Sequence, residues 1–149
     1  MTIANVTAGT IIDPAWGNSV ADALNNRVIT WAINSADQTG ITTAVDVTGL
    51  TATWTADASH LYRISAELSI GASAAPSIAA IYITDGASGS KVWRRTNVAA
   101  SAQSELIATE LVTGLSGSVT RKIRAIAQFG GSITVYGTGD QKGSLIVED

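Results

Sequence analysis

Residues 61–70 read LYRISAELSI, and apolar and polar residues trade places at nearly every step. Tyr62, Ile64, Ala66, Leu68 and Ile70 fall on one side, and Arg63, Ser65, Glu67 and Ser69 fall on the other. Only a backbone of period two keeps these sets apart, so the segment is expected to be a half-buried strand with one wet face. The same constraint recurs along the chain. VITWAI (Val28–Ile33) is a possible first strand, and ITTAVDVT and TATWTA follow it, separated by Gly49 and Leu50. SIAAIYIT is apolar on both faces, as a strand covered on both sides should be. KVWRRTNV leaves the turn DGASGS. SELIATELV fits helix or strand by pattern, and its neighbours favour strand. VTRKIRAIAQF places Val119, Ile123, Ala125, Ala127 and Phe129 on one face and Lys122, Arg124 and Gln128 on the other. There the alternation is imperfect, because Arg121 falls on the apolar face and Ile126 on the polar one. GSITVYG and GSLIVED close the chain. About eight or nine strands, roughly 8–12 residues apart with Gly, Ser, Asn and Asp between them, describe an all-β sandwich or barrel. The expected fold is a jelly-roll-like antiparallel sandwich of about eight strands.

The N-terminal part obeys another period. Residues 1–12, MTIANVTAGTII, are small and apolar without helical spacing and are expected to form an extended arm. Asp13 suits an N-cap and Pro14 the first helical position. Over residues 13–28, Trp16, Val20, Ala23, Leu24 and Val28 share one side of a helical wheel. Asn18, Ser19, Asp22, Asn25 and Asn26 share the other, and Arg27 intrudes on the apolar stripe. Isolated helices up to about 12–15 residues are marginal in water, and this one is little longer and rich in Asn. Its stripe therefore needs a surface to lie on. Trp16, Val20, Leu24 and Arg27 are the expected partner-binding residues of a docking helix, although Trp16 would equally suit packing on the chain's own β-domain. The chain divides into residues 1–28, arm and docking helix, and residues 29–149, the sandwich.

Composition points to contacts rather than chemistry. Of 149 residues, 46% are hydrophobic and only 14% charged, with a mean hydropathy of +0.25. Soluble domains usually carry about 25% charged residues. So little charge suits surface hidden between subunits, together with a weakly charged exterior. A net charge of −3 and a pI near 5.0 argue against nucleic acid as a partner. No apolar run reaches the roughly 18 residues of a membrane span, so no membrane insertion is expected. The first residues show neither the basic segment nor the apolar core of a secretory signal. Without cysteine there is no disulfide or thiol chemistry.

Candidate chemical groups are isolated. His60, in DASHLYR, has no second His or Cys to complete a metal set. GTGDQKG departs from a phosphate loop in spacing and in the Gly after its Lys, and reads as a hairpin. DGASGS has one acid and lacks the regular oxygen ligands of a calcium loop. Asp46, Asp57, Glu67, Glu105 and Glu110 are scattered, and no pair stands out for glycoside hydrolysis. Arg94 and Arg95, and Arg121, Lys122 and Arg124, are solvated strand faces or contacts with an acidic partner; Arg94, Arg95, Lys122 and Arg124 are the candidate rim contacts. Trp31, Trp54 and Trp93 are expected in the core or in a subunit interface rather than in a sugar platform. No catalytic residue, metal site or cofactor is expected, and the chain is read as a non-enzyme.

TAGTIIDPAWGNSVADALNNRV resembles the start of small structural proteins of tailed bacteriophages, particularly phages of actinobacteria, where G-T-x-I leads to AWGN-x-V-x-D and a short helix. GSLIVED resembles the last strand of the same group, which closes in L-x-V-E-D. VDVTGLTATWTADASHLYRISAEL is similar to the early strands of trimeric jelly rolls used as head or tail ornaments. The resemblance covers the ends well and the middle loosely, and none of its motifs is catalytic. It implies a virion structural protein, commonly a homotrimer, whose N-terminal segment attaches to the major capsid protein or to tail proteins while the β-domain projects. A capsid decoration or head-fibre protein is the first expectation, since the short chain has no fibrous stalk. A minor tail protein or tail-tip module binding a host glycan is the second.

Overall fold

The computed structural model describes residues 28–73, 77–86, 89–99 and 102–149. Of the arm and helix expected over residues 1–28, residues 1–27 lie outside them, and with them Trp16, Val20, Leu24 and Arg27, whereas Val28, expected to end the helix, is the first residue of a strand paired with Glu148. The described chain forms β1 (Val28–Ile33), β2 (Gln38–Ile41), β3 (Val45–Ala56), β4 (Leu61–Ala72), β5 (Ser77–Thr84), β6 (Ser90–Val98), β7 (Gln103–Thr113), β8 (Gly117–Gln128), β9 (Ile133–Val135) and β10 (Ser144–Glu148). It is an all-β antiparallel sandwich, and no described residue is helical.

One sheet is built on β4. Its residues 61–71 pair with β7 along one edge. The other edge is shared, residues 63–67 pairing with β10 and residues 70–72 with β9. β1 then lies beside β10, and β2 beside β9. The second sheet runs β3-β8-β5-β6. Every second side chain points between the sheets, which is why Tyr62, Ile64, Ala66, Leu68 and Ile70 are all buried, as the alternation requires. They meet Leu50, Ala52 and Trp54 of β3, Ile81 and Ile83 of β5, Ile123 of β8 and Leu145 and Val147 of β10 in one core. The Trp54 and Tyr62 rings approach to 5.8 Å between centroids, and the Tyr62 hydroxyl accepts the Asp57 N–H at 2.7 Å, tying the β3–β4 turn to the core. SIAAIYIT is β5, held between β8 and β6. On its outer side Ala80 is buried between Ile126 and Arg95, and the Gln128 amide donates to the Tyr82 hydroxyl at 3.3 Å.

Boundaries differ from the sequence reading at three places. ITTAVDVT is not one strand: Ile41 closes β2 in the first sheet and Val45 opens β3 in the second, so residues 42–44 cross between sheets. VDVT and TATWTA, expected as separate strands, are one strand with a register shift between Asp46 and Thr51. Gly49 permits that shift. Its φ is +87°, and a Cβ there would stand 2.8 Å from the Ile33 carbonyl oxygen, so a side chain is excluded by conformation and by space. Phe129 does not extend the apolar face of β8. It takes φ +65° after the ladder ends at Gln128, which turns it out of the alternation and leaves it 81% exposed.

Arg121, the cation on the apolar face of β8, stays inside. Its Nε and Nη2 donate to the two carboxylate oxygens of Glu110 on β7 at 2.8 and 3.0 Å, and both side chains are buried. The pair bridges the two sheets, each charge satisfied by the other in fork geometry.

Candidate interaction surface

Register determines which side chains share the outer face of the β4 sheet. Three rows cross it: Leu111–Arg63–Glu148–Val28, Thr109–Ser65–Ile146–Trp31, and Ile107–Glu67–Ser144–Ile33. Their inward neighbours fill the core, so these residues face out. The result is two apolar ridges with a polar trough between them. One ridge follows β1, with Val28, Trp31 (63% exposed) and Ile33, and Ile146 beside it. The other follows β7, with Ile107 and Leu111, 58% and 66% exposed. The trough is Arg63, Ser65 and Glu67 on β4, where the Arg63 Nε donates to Glu148 at 2.6 Å. Exposed Leu61 stands at one end.

The outer face of the other sheet mixes charged and hydroxyl groups with Trp93, Tyr82 and Ile126. The Thr53 and Thr120 hydroxyls meet at 3.0 Å. Lys122 donates to Asp46 at 3.1 Å, and the Arg124 Nε lies 3.1 Å from the second Asp46 oxygen, near enough for an ion pair but out of line for a hydrogen bond. Arg124 also donates to the Ala44 carbonyl at 2.9 Å. Of the four candidate rim cations, the fold thus brings Lys122 and Arg124 to one carboxylate. Arg94 and Arg95 lie apart from them on β6, the outermost strand, and form no ion pair among the described residues. Arg95 instead sits 5.4 Å from the ring centroid of half-exposed Trp93, a cation–π contact.

Several of the groups considered for chemistry are held in structural roles. Asp57 caps its own turn, accepting the Ser59 N–H at 2.9 Å and the Ser59 hydroxyl at 2.8 Å, contacts that lower its pKa. His60 closes that turn through its N–H to the Asp57 carbonyl, and its Nδ1 contacts Asp149. The GTGDQKG segment links β9 to β10 and is held from within the sheet. Buried Asn34 donates to the Tyr136 carbonyl at 2.7 Å and accepts the Gly143 N–H at 2.6 Å. Asp37 accepts the Gly137 N–H at 2.8 Å and the Thr138 N–H and hydroxyl at 3.1 and 3.0 Å, and its pKa is lowered, first by the Gly137 bond. A polar cleft of about 430 Å³ beside this segment is lined by Glu67, Ser69, Gln103, Glu105, Asp140 and Lys142. Among the described residues no group of three His, Asp or Glu side chains could hold a metal ion. No described helix is long and apolar enough to cross a membrane.

Trp54 lies in the core, whereas Trp31 and Trp93 reach the surface on opposite sheets. Sequence reasoning did not single out Ile107, Leu111 or Ile33. The signal was present in SELIATELV, whose apolar residues occupy both strand faces and blur the helix and strand periods.

The described fold is that of the β-sandwich class. No protein-family model matches the chain, and comparison with curated proteins finds no match. Among solved structures the chain is similar to one from the T13 particle of infectious bursal disease virus, at 8% identity over 80% of this chain and 34% of that one, TM-score 0.45. It is similar to one from the Gx strain of that virus, at 13% identity over 80% and 35%, TM-score 0.44. It is also similar to Eiger TNF from S. frugiperda, at 8% identity over 83% and 94%, TM-score 0.45. The chain spans about a third of the viral chains.

Proposed function

We propose that this chain is a non-enzymatic structural protein of a phage virion, a homotrimeric capsid decoration or head-fibre protein. It attaches through residues 1–28, with Trp16, Val20, Leu24 and Arg27 against the major capsid protein, and projects its sandwich outward. The observation that carries the reading is the outer face of the β4 sheet. Large apolar side chains stand in water there, while of the ionisable groups considered for catalysis Asp46, Asp57, His60 and Glu110 are held in turns and ion pairs and Glu67 and Glu105 line a polar cleft. Exposed apolar patches of this kind mark contact surfaces. The strand order supports the jelly-roll reading, since the eight longer strands interleave as β7-β4-β10-β1 and β3-β8-β5-β6. The virion assignment rests on the resemblance of AWGNSVAD and LIVED to phage structural proteins.

Arg94 and Arg95, which form no ion pair among the described residues, are the better candidates for rim contacts, because Lys122 and Arg124 already share the Asp46 carboxylate. Quantitative mass spectrometry of purified particles tests the role. Copy numbers matching capsid lattice sites are expected. A few copies per particle would move the protein to the tail, and absence from the particle would overturn the reading. The second reading, a tail-tip module that binds a host glycan, is favoured by one feature, Trp93 beside Arg95 on an outer strand. A Trp93→Ala variant that lost adsorption to host cells would select it.

A further inference from the structure

We infer that the outer side of β6 binds an acidic saccharide, with the indole of Trp93 under a sugar ring and the guanidinium groups of Arg94 and Arg95 on its carboxylates. This deepens the second reading above and rests on its glycan, not on its place in the tail.

One strand supplies the recognising side chains. β6 is the last strand of its sheet and pairs with β5 alone among the described residues. Val92 packs on the core and Val98 is buried, so by alternation Lys91, Trp93 and Arg95 face outward. Arg94, of inward parity, is exposed at the side of the sandwich, where its Nη1 donates to the Trp93 carbonyl at 3.0 Å. Lys91, Trp93, Arg94 and Arg95 line a cleft of about 620 Å³, to which Thr109 of β7 contributes from the other sheet. That volume lies within the roughly 300–1,000 Å³ of small-ligand sites. Arg95 also lines a second cleft, of about 250 Å³, together with Asn97. From Lys91 to Asn97 the strand runs about 20 Å, long enough for more than one sugar unit.

Charge and shape together select the ligand. Ion pairs account for the other described arginines: Arg63 with Glu148, Arg121 with Glu110 and Arg124 with Asp46. Arg94 and Arg95 form none among the described residues, and no carboxylate lines either cleft. The whole chain carries −3, so this positive spot is not an overflow of general basicity. Charge on an edge strand can serve only to keep other strands from pairing there. That role does not explain Trp93, which is 48% exposed and adds apolar surface to the same strand. The Arg95 guanidinium lies over the indole, 5.4 Å from its centroid, so ring and cation present one surface. A matching ligand joins a flat apolar face to a carboxylate, as a uronic acid does. The C–H groups of one sugar face rest on the ring, and the carboxylate meets a guanidinium fork. A neutral sugar would leave both guanidinium groups unanswered. Single-stranded nucleic acid also offers a flat ring and an anion, but its affinity comes from many phosphate contacts, and two arginines on an acidic chain supply few.

The test is isothermal titration calorimetry of the full chain with tetrasaccharides of hyaluronan and of polygalacturonate, and with chitotetraose as the neutral counterpart. Trp93→Ala, Arg94→Ala and Arg95→Ala are compared with the wild type, and Phe129→Ala is an exposed aromatic control off the strand. All four side chains are exposed, so the fold is expected to survive, with a cooperative melt as the check. The expected result is that an acidic tetrasaccharide binds at least about tenfold more tightly than chitotetraose. Its affinity should fall about tenfold or more in Trp93→Ala and in Arg95→Ala, weaken with added salt, and hold in Phe129→Ala. Chitotetraose binding as well as the acidic probes, through Trp93, would keep the glycan reading and overturn the acidic class. No binding of either acidic probe would overturn the inference, and silence from chitotetraose as well would overturn the glycan reading with it. Acidic binding that survives Trp93→Ala, or a tetraglutamate peptide that binds equally well, would mean that the strand reads charge alone and would overturn the saccharide.

Discussion

Removing one partner of the Glu110–Arg121 pair gives the sharpest energetic test of the sandwich. Arg121→Met fills much of the same volume but leaves the Glu110 carboxylate facing the sheet interior without a cation, and Glu110→Leu strands the guanidinium in the same way. Both groups are almost wholly shielded from water, 4% exposed for Arg121 and 7% for Glu110. Stranding a buried charge of this kind costs about 3–5 kcal/mol, a large part of the 5–15 kcal/mol that holds a domain together. At about 2–4 °C per kcal/mol for a chain of this size, each single variant should melt roughly 6–20 °C lower. The double variant removes both charges and their desolvation cost together, so it should fall near the wild type or be about 1–4 kcal/mol more stable. Urea unfolding followed by tryptophan fluorescence reads all four proteins, since Trp54 lies in the core and changes environment on unfolding. Two results would refute the reasoning. Single variants within about 1 kcal/mol of wild type would mean that the pair is not desolvated, and a double variant that loses the sum of both singles would mean that packing, not charge, is at stake.

Three further outcomes are expected. Asn34→Ala leaves the Gly143 N–H and the Tyr136 carbonyl without their Asn34 partner and should cost about 2–6 kcal/mol, at about 1–3 kcal/mol for each orphaned group, measured by urea unfolding. Gly137→Ala, whose Cβ would stand 2.3 Å from the Ala36 carbonyl oxygen, should destabilise far more than Gly114→Ala, where φ is +73° but nothing lies within 4 Å, and paired thermal melts compare them. The Asp37 carboxylate has a folded pKa below its ordinary 3.8, so its contribution is present above the unfolded value and is lost as pH falls through the folded one. Asp37→Asn should therefore flatten the acid limb of stability against pH below about 4, read from urea unfolding across that range.

Much of the fold was legible. The five inward residues of β4 follow from period two, because alternation alone separates core from solvent, and VITWAI is β1 with the bounds the sequence suggests. Arg121 was visible as a charge on an apolar face, but its partner was not. Glu110 belongs to the other sheet, and nothing in strand periodicity says that positions 110 and 121 meet across the interior. Phe129 shows the converse, since its apolar character fits the face of β8 but its left-handed backbone turns it into solvent.

The candidate surface was hidden for the same reason. Val28, Trp31 and Ile33 are far in sequence from Ile107 and Leu111, and they share one outer face only because β10 and β4 lie between β1 and β7. The sequence by itself determined the all-β class, the inward set of β4 and the poverty of charge. Tertiary structure alone decided which strands are neighbours, and so which exposed apolar residues gather into ridges. Side-chain alternation is local to a strand, whereas strand order is set by packing two whole sheets around one core.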